Sequence, residues 1–153
     1  MPRKQAKIRP AVGSDHDDIA RVWDAGWIST GVVSPVQLPH SDLVEKLRTE
    51  IENGADLFAI ETDDDISGMI LTKPALRELS QLFLAPHAQA QGIGSICLDF
   101  VKQQFQDGFS LTVAEANVKA IRFYESNGLA FEARVHRPEY QRFDLRYRWR
   151  PGA

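Results

Sequence analysis

The chain has 153 residues and a mass of 17.2 kDa, with 43% hydrophobic and 25% charged residues. Lys and Arg number 18 against 21 Asp and Glu, a formal net charge of −3. This composition excludes a disordered, collagen-like or disulfide-scaffold chain, and the length suits one domain over residues 1–153 with a real core.

The mild acidity argues against nucleic acid or an anionic membrane as the main partner. Cys97 is the single cysteine, so no intrachain disulfide forms and a cysteine-rich metal site is excluded; no metal is expected at all. No apolar run is long enough to span a bilayer. The basic start Met1-Pro2-Arg3-Lys4-Gln5 is not followed by an apolar signal core, so the expected location is cytoplasmic.

Ile8 to Val12 reads as a short strand, at an edge or bulged because of Pro10. Asp15 is placed to cap a helix in which Ile19, Val22, Trp23 and Trp27 recur at helical spacing up to Ile28. Ser29 to Pro39 reads as a loop. Ser41 or Asp42 starts a second helix with Leu43, Leu47 and Ile51 as its stripe, ended by Asn53-Gly54.

Leu57 to Thr62 and Ile66 to Thr72 read as strands joined through the acidic turn Asp63-Asp64-Asp65. Leu76 to Leu84 is the next strand, closed by Ala85-Pro86. A helix from about Gly94 to Phe105 follows, with Ile96, Cys97, Phe100, Val101 and Phe105 inward. Phe109 to Ala114 is a strand, and Asn117 begins a helix that Asn127-Gly128 ends, with Leu129 placed for a Schellman contact. Leu129 to Val135 and Arg142 to Trp149 finish the chain. The order β-α-α-β-β-β-α-β-α-β-β predicts an α+β fold with a mixed sheet in which only the central β-α-β is parallel.

The stretch Leu82 to Cys97 carries the strongest chemical signal: a strand ends, Gly92 and Gly94 follow, and a helix begins. Orphan N–H groups and a positive dipole gather at such a helix start, and glycines let an anion approach closely. The expected ligand group is a phosphate or pyrophosphate. The loop lacks the Gly-Lys-Ser/Thr of a Walker motif and the third glycine of a dinucleotide fingerprint.

Gln89-Ala90-Gln91-Gly92-Ile93-Gly94 resembles Gln/Arg-x-x-Gly-x-Gly/Ala, the coenzyme-A pyrophosphate loop of the GNAT superfamily of N-acetyltransferases. Leu82-Phe83-Leu84-x-Pro86 resembles that family's coenzyme-contacting strand. Asn117 to Gly128 resembles its second signature, Asn-x-x-Ala-x-x-Phe-Tyr-Glu-x-x-Gly. The resemblance is specific from about Leu76 to Phe131. Gln89 and Ala90 stand where many members carry Arg-Gly.

The resemblance implies a GNAT-like fold and acetyl transfer from acetyl-CoA to an amine acceptor by direct attack in a ternary complex. It implies that the strands ending at Leu84 and Ala114 splay apart. The pantetheine arm then pairs with Leu82, Phe83 and Leu84, and the pyrophosphate sits on Gln89, Ala90, Gln91, Gly92, Ile93 and Gly94, with Ser95 nearby. Asn117 contacts the coenzyme arm and Tyr124 faces the thioester sulfur as general acid. Glu78 stands at the spacing of the base in histone-type members, and in a regular strand it shares a face with Ser80 and Leu82.

Other readings of these residues stay open. Tyr124 is also a plausible core aromatic beside Ala120 and Phe123, and Glu78 a solvated strand residue. Trp27 packs in its helix or lines an acceptor site. On the last strand Phe143, Leu145, Tyr147 and Trp149 alternate with Asp144, Arg146, Arg148 and Arg150, which reads as a core face against a solvated or binding face. Two rival functions follow: an acyl-CoA-binding sensor with little catalysis, and a nucleic-acid module working through those arginines. The sequence is compatible with a homodimer and names no acceptor.

Overall fold

In the computed structural model, which describes residues 5–32 and 38–152, seven strands form one mixed sheet. They are β1 (Lys7–Pro10), β2 (Asp56–Thr62), β3 (Asp65–Lys73), β4 (Glu78–Leu84), β5 (Phe109–Ala114), β6 (Ala130–Arg137) and β7 (Arg142–Trp149). Their order across the sheet is β1-β2-β3-β4-β5-β7-β6. The helices are α1 (His16–Ser29), α2 (His40–Glu52), α3 (Ile93–Gln104) and α4 (Val118–Ser126). The expected element order and mixed sheet are observed, and β4–β5 is the one parallel pairing among the described strands. Part of the loop expected over 29–39 lies outside the described residues.

Local chemistry explains most elements. Pro10 ends β1 at the sheet edge, where a missing N–H costs no ladder bond. Asp63 and Asp64, at φ 54° and 66°, make a two-residue turn between β2 and β3. Positive φ at both positions matches the right-handed twist of the hairpin. Asn117 Oδ1 accepts from the Ala120 N–H at 3.3 Å and caps α4. Gly128, at φ 88°, ends it: Leu129 N–H donates to Tyr124 C=O at 3.1 Å and Gly128 N–H to Glu125 C=O at 3.2 Å, the Schellman pattern.

The sheet has two covered faces. On one, Ile93, Cys97, Leu98 and Val101 of α3 pack against Phe109, Leu111 and Tyr147. On the other, Ile19, Val22 and Trp23 of α1 and Leu43 and Leu47 of α2 pack against Ala59, Met69 and Leu71. Each fully buried aliphatic side chain contributes about 1.5–3 kcal/mol.

Several expectations need correction. Asp15 does not cap α1 through its side chain; it sits in a 3-10 turn, accepts from Val12 N–H at 2.8 Å and pairs with Arg9 at 2.7 Å. The Arg9 guanidinium holds its carboxyl down at about 2. The strand expected from Leu76 starts at Glu78, because Pro74–Leu76 is a 3-10 turn and Arg77 is left-handed at φ 48°. In α3 the fully buried residues include Ile93 and Leu98, while Ile96 stays half exposed outside the core cluster. The helix begins at Ile93, one residue earlier than expected; of the other expected inward residues, Cys97 and Val101 belong to the core cluster and Phe100 and Phe105 pack against it.

The β7 alternation holds for Leu145, Tyr147 and Trp149, which join the α3 and α4 side of the core. Phe143 lies past that cover and is 37% exposed, stacked on His136 at 4.8 Å. Asp144, expected on the solvated face, is buried at 5% exposure.

Candidate active site

The site begins with a fault in the ladder between β3 and β4. Leu71 pairs with Gln81 and the next residue, Thr72, pairs with Leu79, so Ser80 is an extra residue, a β-bulge. The bulge resets the strand's facing. Paired residues share a face, so Glu78 sides with Lys73, and Gln81 and Phe83 side with Leu71 and Met69, toward α1 and α2. Leu79, Leu82 and Leu84 belong to the α3 and α4 side. The expectation that Glu78 shares a face with Leu82 is therefore overturned: one inserted residue inverts every later position.

β4 and β5 meet at one register pair, Glu78 with Ser110, held by the Ser110 N–H to Arg77 C=O bond at 3.0 Å. From Leu79 onward no β4 residue pairs with β5. The two parallel strands diverge, as the sequence resemblance implied, and their facing backbone edges open into a cavity of about 920 Å³. Gly26 lets α1 close on this region, since a Cβ there would stand 2.8 Å from the Phe83 ring.

Leu82, Phe83, Leu84, Gln89, Ala90, Gly92, Gly94, Ser95, Asn117, Tyr124 and Glu78 all line that cavity. Of the expected site residues, Gln91 and Ile93 do not. Gln91 turns back to donate to the His87 carbonyl at 2.8 Å, and Ile93 is fully buried in the core. Gln89 Nε2 donates to the Leu84 carbonyl and to Ser29 Oγ, both at 3.1 Å, which ties the glycine loop to the end of β4 and to α1. Gly92 takes φ 80° to turn the chain into α3, whose first N–H groups are then orphan donors at the cavity.

Tyr124 lies half-buried on the inner side of α4, its ring 5.4 Å from that of Phe123. Burial pushes its phenol up to about 12, so it holds its proton at neutral pH. Cys97 is fully buried beneath α3 and its thiol is pushed up to about 12 by burial, which leaves it inert. Among the described residues no group of three or more His, Cys, Asp or Glu is placed to hold a metal ion, and no helix is long and apolar enough to cross a membrane.

The GNAT acetyltransferase family model matches residues 21–129. The chain belongs to this family. It is an acyl-CoA-dependent acetyltransferase, and acetyl-CoA is its co-substrate. Solved GNAT structures share its fold. An acetyltransferase from Thermus thermophilus superposes with a TM-score of 0.79 at 19% identity, covering 98% of this chain and 99% of that one. The PaiA N-acetyltransferase of Thermoplasma acidophilum, in complex with coenzyme A, gives 0.74 at 20% identity over 95% and 99%. A spermidine N-acetyltransferase from Vibrio cholerae, in complex with CoA and spermine, gives 0.68 at 20% identity over 94% of each chain. No curated protein sequence matches.

The structure also brings Trp27, Arg137, Tyr140, Arg142 and Asp144 to the GNAT cavity. The polar members of this group were absent from the sequence-based site. They lie on the β6–β7 hairpin, which matches no motif, and only the order of the sheet sets that hairpin beside β5. The arginine-rich face is partly neutralised: Arg148 pairs with Glu132 of β6 at 2.6 Å and holds its carboxyl below the usual range.

Proposed function

We propose that the protein transfers the acetyl group from acetyl-CoA directly to an amine, with Tyr124 as general acid and Glu78 as general base. The observation that carries this is the divergence of β4 from β5 after a single pair, with Glu78 and Tyr124 lining the one cavity that it opens. The pantetheine arm adds to the free edge of β4 around Leu82, Phe83 and Leu84 as a strand would. The pyrophosphate takes the N–H groups between Gln89 and Ser95, and Asn117 borders the arm.

Glu78 and Tyr124 reach the cavity from opposite faces of the sheet. The amine nitrogen attacks the thioester carbonyl carbon, the C–S bond breaks, and the thiolate leaves. An aliphatic amine has a pKa near ~10.4 and arrives protonated, so Glu78, directly or through a water, takes the proton that the nucleophile must lose. A free backbone N–H of β4 stabilises the oxyanion. Tyr124 then gives its proton to the thiolate. The burial that raises the phenol also raises a thiolate held against it, so the two acidities move in the same direction.

The test is thiol release from acetyl-CoA with an amine panel. Wild type turns over, and Tyr124→Phe loses roughly 10²-fold or more in kcat while still binding coenzyme. Full turnover in Tyr124→Phe removes the acid assignment.

A further inference from the structure

The β6–β7 end of the cavity has a distinct chemistry. Asp144 is buried, and both of its oxygens are taken: Arg142 Nε donates to Oδ1 at 2.8 Å and Arg137 Nε stands 3.4 Å from Oδ2. Two guanidinium groups thus share one carboxylate. The group carries a net positive charge, because its one carboxylate is shared by two arginines. The Arg142 guanidinium stands over two rings, 5.0 Å from the centre of Trp27 and 4.9 Å from that of Tyr140, and is 20% exposed. Asp144 occupies its Nε alone; four more N–H donors sit on its terminal nitrogens. Trp27, Arg142, Tyr140 and Glu78 line the same cavity.

We infer that the amine acceptor carries a carboxylate, which Arg142, supported by Arg137, binds while the amine end lies toward Glu78. This rests on the acetyl-transfer reading and deepens it. A planar fork set against two rings and oriented by a carboxylate, with its terminal N–H groups uncommitted, suits bidentate pairing with a second carboxylate. Among the described residues of this hairpin, a cationic acceptor finds no free anion at the cavity. Burying a positive group against two arginines is unfavourable, so this end of the cavity disfavours a cation, while the anionic lining residues Asp24, Glu50 and Glu78 stand elsewhere in it, on α1, α2 and β4. Asp144 is a positioning residue: it sets the plane of Arg142 without touching the acceptor.

The experiment uses the purified enzyme with acetyl-CoA and matched acceptors: carboxylated amines, the methyl esters of the same amines, and spermidine as a polycation. Wild type prefers each acid over its ester by roughly tenfold or more in kcat/KM. In Arg142→Gln that preference collapses toward one, mainly through a raised KM for the acid. Arg142→Lys restores it only in part, because charge returns without the fork. Coenzyme Kd, measured separately in each variant, reports that the fold and the coenzyme site persist. Asp144→Asn lowers the acid preference with smaller change in the ester.

Turnover confined to spermidine, or equal use of acid and ester by wild type, overturns this inference and leaves acetyl transfer standing. An Arg142→Gln variant that loses coenzyme affinity but keeps its acid preference moves Arg142 to the coenzyme site and also overturns it. No turnover on any amine sinks the acetyl-transfer reading and this inference together.

Discussion

Gly94 and Phe123 set how closely α3 and α4 approach: a Cβ on Gly94 would stand 2.8 Å from Phe123 Cζ. The Phe123 ring in turn packs 5.4 Å from Tyr124. The second glycine of the loop thus has a packing task beside the phosphate-binding one proposed for it. It lets the helix that bears Tyr124 close on the helix that begins at the glycine loop.

Gly94→Ala forces the half-buried Phe123 ring aside. Overpacking costs about 1–3 kcal/mol, offset by about 1 kcal/mol from alanine's better helix propensity. Stability should fall by no more than about 2 kcal/mol, while kcat and coenzyme affinity fall severalfold because Tyr124 moves with its neighbour. Denaturant titration beside steady-state kinetics checks this. Parent-like turnover in Gly94→Ala would mean that the contact is unimportant to the site.

Ala90 takes φ 60°, a left-handed conformation that costs a residue with a Cβ roughly 1–2 kcal/mol. Ala90→Gly relieves that strain but gives the unfolded chain about 0.4–1 kcal/mol of extra entropy. The expected result is a stability equal to the parent's or higher by up to about 1.5 kcal/mol, with coenzyme binding retained. Ala90→Val, β-branched at the same φ, should lose more than about 1 kcal/mol. Equal unfolding midpoints for Ala90→Val and the parent would rule out strain at this turn.

Tyr124 makes stability depend on alkaline pH. Its folded pKa of about 12 lies above a reference near ~10. The unfolded chain therefore releases this proton first. The stabilisation is complete below about pH 10 and is lost as pH rises through about 12. Unfolding free energy should fall more steeply across that window in wild type than in Tyr124→Phe. Tyr147, also raised by burial, contributes equally to both and cancels in the comparison. Parallel curves would show that the Tyr124 hydroxyl is hydrated in the folded state.

The bulge at Ser80 determines which face Glu78 presents, so its removal is a test of the base. Glu78→Gln should cost about 10²–10⁴ in kcat/KM with coenzyme Kd unchanged. Deleting Ser80 should restore a regular ladder and send the residues before it to the opposite face, with a comparable loss. A Glu78→Gln enzyme with the parent's kcat/KM would assign proton removal to water alone.

Much of the coenzyme side was legible because it is local. Gln89 to Gly94 and Asn117 to Gly128 are short runs whose spacing follows a turn or a helical period, and the caps at Asn117 and Gly128 form from neighbours in sequence. Glu78 lines the cavity, as its position suggested, but its facing was misread, since a one-residue bulge leaves no mark in an alternating apolar pattern. Asp15 was misread for a related reason: Arg9, its nearby partner at the sheet edge, draws the carboxylate away from the helix start.

The sequence alone determined the family resemblance, the glycine loop ahead of α3, the order of elements and the inward-facing cysteine. These depend on φ preferences, on helical and strand periods, and on residues a few positions apart. The tertiary structure decided the rest: which face Glu78 takes, how far β4 leaves β5, and what stands at the acceptor end. Arg142 reaches Trp27 because β7 lies beside β5, and Asp144 meets Arg137 across from the neighbouring strand β6. Long-range strand order and the burial it imposes are properties of the packed sheet, and no window of sequence contains them.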